Sequence, residues 1–332
     1  MAPKPPARTY RGTARNLAHL AARLRAGELV AVPTETVYGL AAHALDARAC
    51  ARIFRAKGRP SSDPLIVHLH SVRQLGLVCR PNAAALRLAR AFWPGPLTLV
   101  LPKTAAVPAI VTAGRESVAV RVPRHPLFRR LLRLAGVPLA APSANPFGYV
   151  SPTTAEHVRQ GLGKKIPHIL DGGPATIGLE STIVDLRDPS RPAVLRPGAI
   201  TAEQIARVLG RRVTAPRRKT SAQGAQVAPG LLARHYSPRT PLQLHDKITA
   251  ARRDRAPANE AFLLQRRPRG AKGQAHVFWL DATGALPGVA RRLFAMLRRL
   301  DAEGFARIHA ELAPNRGLGR AINDRLRRAA AR

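Results

Sequence analysis

Between residues 212 and 240 the apolar periodicity that runs through the rest of the chain disappears. Arg, Lys, Pro, Ser, Gly and Gln dominate there, a composition that cannot build a core and reads as linker. The break divides the 332 residues into two folding units, each long enough for a core of its own. One island interrupts it, Ala228-Pro-Gly-Leu-Leu-Ala-Arg-His-Tyr-Ser-Pro238.

Before the linker, short apolar runs alternate with helical patterns. Glu28–Pro33, Pro64–Leu69, Leu97–Leu101, Ser117–Val122, Val137–Ala141, Ile166–Leu170 and Ser181–Leu186 read as strands. Residues 46–56, 82–92, 126–135, 154–160 and 201–209 read as helices, with Asp46 as an N-cap. Leu17, Leu20 and Leu24 recur at helical spacing and Gly27 follows as a stop, so residues 1–12 are expected to be a tail and 13–211 one α/β domain. After the linker, strands at Leu242–Leu244, Phe262–Leu264, His276–Leu280 and Arg307–Leu312, with helices over 288–302 and 318–331, predict a small open α/β domain over 241–332. Its outline is Rossmann-like.

Lys and Arg number 55 against 19 Asp and Glu, a net charge of +36. Such an excess attracts polyanions such as RNA. Ala, Arg and Pro are abundant in every segment, so the excess also fits a bias of the whole chain with no binding patch behind it. The sequence does not choose between the two. Cys50 and Cys79 cannot found a disulfide framework or a Cys-x-x-Cys zinc site and read as small apolar residues in a reducing, cytoplasmic compartment. No apolar run is long enough for a membrane span and the N-terminus lacks the apolar centre of a secretory signal, so no membrane partner is expected.

The familiar nucleotide loops are missing: there is no Gly-x-x-x-x-Gly-Lys-Ser/Thr, and Gly317-Leu-Gly-Arg-Ala-Ile322 lacks a third glycine. His68 and His70 alternate on a predicted strand and make a poor chelating pair. Polar groups gather instead where strands end, which is where open α/β sheets place ligands. Thr34, Glu35 and Thr36 crowd a turn after the first buried strand, although a helix N-cap would use the same residues. Lys57 and Arg59 flank a glycine in a proline-bounded loop and suit a polyphosphate, or are solvated surface charge. Ser143 and Asn145 stand between two prolines, in a preorganised site or an ordinary turn. Gly178-Leu-Glu-Ser-Thr182 lets backbone approach a ligand, and Arg196 in Leu195-Arg-Pro-Gly198 is a candidate anion partner.

In order and spacing these segments, with Pro33-Thr-Glu-Thr-Val-Tyr-Gly-Leu40, Ile53-Phe-Arg-Ala-Lys-Gly-Arg-Pro60, Pro64-Leu-Ile-Val-His68, Trp93-Pro-Gly-Pro-Leu-Thr98 and Val118-Ala-Val-Arg-Val-Pro123, resemble the YrdC-type threonylcarbamoyl-adenylate synthases over residues 13–201. Arg234-His-Tyr-Ser-Pro238 is similar to the linker motif of the long subclass, and residues 317–326 to its final helix, while the similarity thins between 241 and 312. The resemblance implies a twisted mixed sheet with helices, followed by the smaller domain. It implies that L-threonine takes up bicarbonate or CO2 to form a carbamate, whose oxygen attacks the α-phosphate of ATP and expels pyrophosphate. The product serves threonylcarbamoyl modification of tRNA adenosine.

By the same resemblance Lys57 and Arg59 form the catalytic basic pair. Lys57, Ser61, Val118 (through its backbone), Ser143, Asn145, Ser151, Arg196 and Tyr236 contact ATP. Thr34, His68, Arg121, Ala141 and Ser181 form the threonine pocket, with Arg121 on the carboxylate. Inward placement of Val118, Val120 and Val122 would turn Arg121 to the cleft. Tyr236, with His235, would close as a lid. Mg2+ would ride on the phosphates, held by ATP and water rather than by protein side chains. tRNA and the downstream tRNA threonylcarbamoyl transferase are further candidate partners.

Two departures bear on this. Asp63 replaces the usual Asn before Pro64, a carboxylate less welcoming to phosphate, and Leu231-Leu-Ala233 drops a cation and an aromatic from the linker motif. A non-catalytic RNA-binding protein on the same fold is the alternative, favoured by the charge but not by an intact amino-acid pocket. A carbamoyl-transfer enzyme of metallocentre maturation would need acylphosphatase and zinc modules for which the chain has neither length nor paired cysteines.

Overall fold

A computed structural model describes residues 6–214, 224–232, 235–268 and 275–331. The first unit is built on a ten-stranded sheet. Its strands are β1 (Arg8–Arg11), β2 (Val30–Val32), β3 (Gly39–His43), β4 (Ile66–His68), β5 (Leu97–Pro102), β6 (Ser117–Arg121), β7 (Leu139–Ala140), β8 (His168–Asp171), β9 (Thr182–Asp185) and β10 (Ala193–Arg196). Their order is β1-β8-β2-β3-β7-β4-β6-β5-β9-β10, with parallel and antiparallel pairs mixed.

Helices cover both faces. On one lie α1 (Ala14–Arg25) and α6 (Pro126–Ala135), whose Leu17, Leu20, Leu24, Phe128, Leu131 and Leu132 pack on Val30, Val32 and Leu170. The other face carries α2 (Ala47–Lys57), α3 (Leu75–Val78), α4 (Ala83–Phe92), α5 (Ala109–Thr112), α7 (Ala155–Leu162) and α8 (Ala202–Leu209) over a larger core of Leu, Val, Ile and Ala. Cys50 and Cys79 are buried and free, the thiols pushed up to about 12 by burial. Asp46 caps α2, accepting from the amides of Arg48 and Ala49.

The expected tail over residues 1–12 is shorter than read. Arg8–Arg11 is an edge strand parallel to β8, anchored by Tyr10, which is buried against α1 and meets His168 Nδ1 at 3.2 Å. The stretch after Pro33 opens no helix. β2 and β3 are an antiparallel hairpin, and Thr34 Oγ1 accepts from the Thr36 and Val37 amides inside its turn.

The second unit is a four-stranded parallel sheet in the order β11-β14-β12-β13, from β11 (Leu242–His245), β12 (Glu260–Arg266), β13 (Val277–Asp281) and β14 (Arg307–Glu311). α10 (Leu286–Ala302) and α11 (Leu318–Ala330) pack one face through Leu293, Phe294, Leu297, Ile322 and Leu326, while α9 (Ala250–Asp254) joins β11 to β12. Val37, Val150, Leu179 and Tyr236 belong to this same cluster, so the smaller unit's core reaches the larger sheet. Gly178 shows why the two fit: its φ is +79°, and a Cβ there would lie 2.5 Å from the Arg291 backbone of α10.

Candidate active site

The hairpin turn, the C-terminal end of α2, the chain after β7, and the loop before β9 converge on one cleft, and the linker covers it. Its lining includes Thr34, His68, Arg121, Ala141 and Ser181, all five residues expected to hold threonine. Arg59, Ser143, Arg196 and Tyr236 line it too. Lys57, Ser61, Val118, Asn145 and Ser151 are not among the lining residues.

Arg121 is buried and faces the cleft, because Val118, Val120 and Val122 point into the core. Its Nε donates to Gly95 O at 3.1 Å, Nη1 to Thr36 Oγ1 at 3.0 Å, and Nη2 lies 2.8 Å from Glu35. Of five N–H groups, one on each terminal nitrogen stays available to a ligand. Burial pushes the Glu35 carboxyl up, but Arg121 and the Arg124 amide outweigh it and hold Glu35 below its ordinary value. His68 is pushed down to about 3 by burial and by Arg121, so the ring is neutral, and its Nδ1 has no protein partner.

The basic pair is not solvated surface. Lys57 ends α2, Gly58 caps the helix in the left-handed conformation, and Arg59 turns back into the fold. Lys57 Nζ donates to Ser143 O and Asn145 O, both at 2.6 Å, pinning the Pro-bounded segment to the helix. Burial, then Arg59, drives its pKa well below that of a free lysine. Arg59 binds the Asp63 and Pro64 carbonyls and pairs with the Asp63 carboxylate at 3.0 Å. The Asp63 departure is therefore matched by an arginine beside it.

Asn145 donates to Pro146 O and Tyr149 O and leaves Oδ1 unpartnered. Ser151 is fully buried behind the cleft, its hydroxyl donating to Glu180 Oε1 at 2.6 Å. Ser61 is exposed outside it, and the Val118 side chain packs in the main core. Arg196 holds Ser181 O and Oγ and donates to Pro229 O in the linker. Tyr236, at φ +65°, is buried, and its ring meets His235 (centroids 4.1 Å) and Phe294 (5.5 Å). Pro229, Gly230 and His235 complete the cover. Ala233 and Arg234 lie outside the described residues.

Reading the sequence missed Glu180, a carboxylate lining a cleft rich in cations. Its place within Gly178-Leu-Glu-Ser-Thr182 was visible, but the cation that balances it was not. Among the described residues no group of three or more His, Cys, Asp or Glu is arranged to hold a metal ion.

A mixed α/β sheet with a polar cleft at its strand ends, joined to a small parallel domain that supports the cleft, defines the class of molecule: a YrdC-like domain with a C-terminal extension. A family model described as "Telomere recombination", the Sua5/YciO/YrdC model, matches residues 22–198, and one described as "Threonylcarbamoyl-AMP synthase, C-terminal domain" matches residues 200–331. The chain belongs to the long Sua5/YrdC family. It is 43% identical to the threonylcarbamoyl-AMP synthase of Pyrococcus abyssi, covering 92% of this chain and 91% of that one, and 41% identical to that of Bacillus subtilis, covering 95% and 92%. The crystal structure of P. abyssi Sua5 complexed with L-threonine superposes with a TM-score of 0.87 at 40% identity, over 97% of this chain and 96% of that one. E. coli YciO, 24% identical, shares only the fold of the larger unit, covering 57% of this chain and 95% of that one at a TM-score of 0.51.

Proposed function

We propose that the protein is an L-threonylcarbamoyladenylate synthase, forming threonylcarbamoyl-AMP, pyrophosphate and water from L-threonine, bicarbonate and ATP. The observation that carries this is the convergence in one cleft of a buried Arg121 fork, a neutral His68 and the cations Arg59 and Arg196. Arg121 takes the threonine carboxylate through its remaining N–H groups, and Thr34, His68, Ala141 and Ser181 surround the side chain. Arg59 and Arg196 face the phosphates, with Lys57 fixing Ser143 and Asn145 against the nucleotide.

No covalent nucleophile is required. The carbamate oxygen attacks the α-phosphorus as the bond to pyrophosphate breaks, so catalysis rests on proximity and charge neutralisation. Mg2+ would arrive with ATP and neutralise its phosphates. Glu35, Asp63 and Glu180 each already face an arginine, which leaves the ion to phosphate and water. The product would pass to a tRNA threonylcarbamoyl transferase, with tRNA as a further partner. Two buried free thiols suit a reducing, cytoplasmic setting. No helix among the described residues is long and apolar enough to cross a membrane.

The test is pyrophosphate release from ATP, magnesium, bicarbonate and threonine, with each of the last two omitted in turn. Release that needs both is expected. Release indifferent to threonine, or RNA binding with no ATP consumption, would sink this reading in favour of an RNA-binding role.

A further inference from the structure

The largest fully buried side chain of the described residues is a cation, Arg325, on the final helix of the smaller domain. A charge so placed is costly unless paired, so its partners show what it is for. Arg325 Nε donates to Glu180 Oε2 at 2.8 Å and Nη2 to the Glu180 carbonyl at 3.4 Å. Nη1 meets Asp324 at 2.6 Å, and the guanidinium lies 5.4 Å from the centre of the Tyr236 ring. Burial opposes the Arg325 charge, but Tyr236, Glu180 and Asp324 raise its pKa above the ordinary value, so it stays protonated.

Glu180 lines the cleft, and its other oxygen accepts from Ser151 Oγ at 2.6 Å. A bare carboxylate here would repel a polyphosphate. The same helix also grips the cover: Asp324 pairs with Arg328, and Arg328 Nη1 donates to Leu231 O at 3.0 Å and Leu232 O at 2.5 Å. The Arg328 carbonyl accepts from the His235 amide.

We propose that Arg325 is a positioning residue of the nucleotide site: it neutralises Glu180, so that this carboxylate can fix Ser151 without repelling the phosphates of ATP. The C-terminal domain thereby completes the electrostatics of a cleft it does not line. This rests on the synthase reading, since it takes ATP as the ligand.

The experiment compares wild type, Arg325→Gln, and Glu180→Gln combined with Arg325→Gln, by calorimetric titration with Mg-ATP and separately with threonine, alongside thermal melts. Arg325→Gln is expected to weaken ATP binding about tenfold or more while threonine binding stays within about twofold. The double variant, with both charges gone, should return to within about threefold of wild type for ATP. Equal loss of both ligands, or a double variant no better than the single, overturns the proposal. Should Arg325→Gln not fold, the double variant decides alone: near-normal ATP binding supports the proposal and a tenfold loss overturns it. A wild type that binds ATP but releases no pyrophosphate breaks the synthase reading and leaves this comparison intact, whereas one that binds no ATP overturns both.

Discussion

At the ends of the large sheet, buried polar atoms are left without a protein partner: His68 Nδ1, Asn145 Oδ1, Tyr236 Oη and one oxygen of Glu35. At the carboxyl ends of the small sheet the carboxylates are consumed by their own backbone. Asp281 Oδ1 accepts from the Thr283 and Ala285 amides and the Thr283 hydroxyl, and Glu311 accepts from the amides of Ile248 and Gln265. Both sheets are α/β, and both place polar groups where open sheets commonly bind ligands. Buried donors and acceptors are costly when unpaired, so a cluster of them marks a surface waiting for a polar ligand. At the small sheet the carboxylates are already satisfied, and Gln265 Oε1 beside them is left unpartnered.

The comparison breaks first at Lys57. Its Nζ donates to two carbonyls of the segment bearing Ser143 and Asn145, so Lys57→Ala removes both bonds and unfastens part of the pocket. Threonine-dependent pyrophosphate release should fall by roughly a hundredfold to a thousandfold, comparable to losing a preorganised electrostatic group. A thermal melt close to wild type must accompany that loss. Turnover within a few-fold of wild type would mean that the cleft works without its basic anchor.

A smaller effect is expected in acid. His68 is held at about 3 in the fold against 6.5 when free, and His157 at about 4, its imidazole pushed down by burial and then by Arg298. The unfolded chain therefore takes up protons first. The histidine contribution is full above about pH 6.5 and falls as pH drops towards 3, at up to about 1.4 kcal/mol per unit from the buried His68 and less from the partly exposed His157. The variant His68→Gln should lose less stability than wild type between pH 6.5 and 4 in denaturant titrations. Parallel pH profiles for the two would show that His68 is not held neutral by the fold.

How much of this was legible depended on range in sequence. β4 to β9 and most of the helices longer than one turn announced themselves by local pattern, and the motifs picked out Thr34, His68, Arg121, Ala141 and Ser181, which stand at strand ends and line one cleft. β1 was missed because it offers a single apolar side chain, Tyr10. β3 was left unassigned, with only Gly39 and Leu40 falling inside the motif after Pro33, and β10 overlapped the motif around Arg196. Asp63 looked hostile to phosphate because its pairing with Arg59 depends on how the loop turns back. Glu180 found its cation 145 residues away, on the final helix. Pattern reading sees neighbours along the chain, whereas a buried charge is balanced by neighbours in space.

The smallest predicted effect tests the other side of the comparison. Asp281 closes the turn between β13 and α10, and its carboxyl is held below its ordinary value by the Thr283 amide and hydroxyl and the Ala285 amide. Gly288 must stay small there, since a Cβ would lie 1.9 Å from Asp281 Oδ2. Because the group is only partly buried, Asp281→Ala should lower the melting temperature only modestly, by about 2–4 °C. The affinities for threonine and ATP should stay within about twofold of wild type. A selective loss of ATP or threonine binding would show that this strand end takes part in ligand recognition, and the contrast between the two sheets would then fail at the place where it is drawn most sharply.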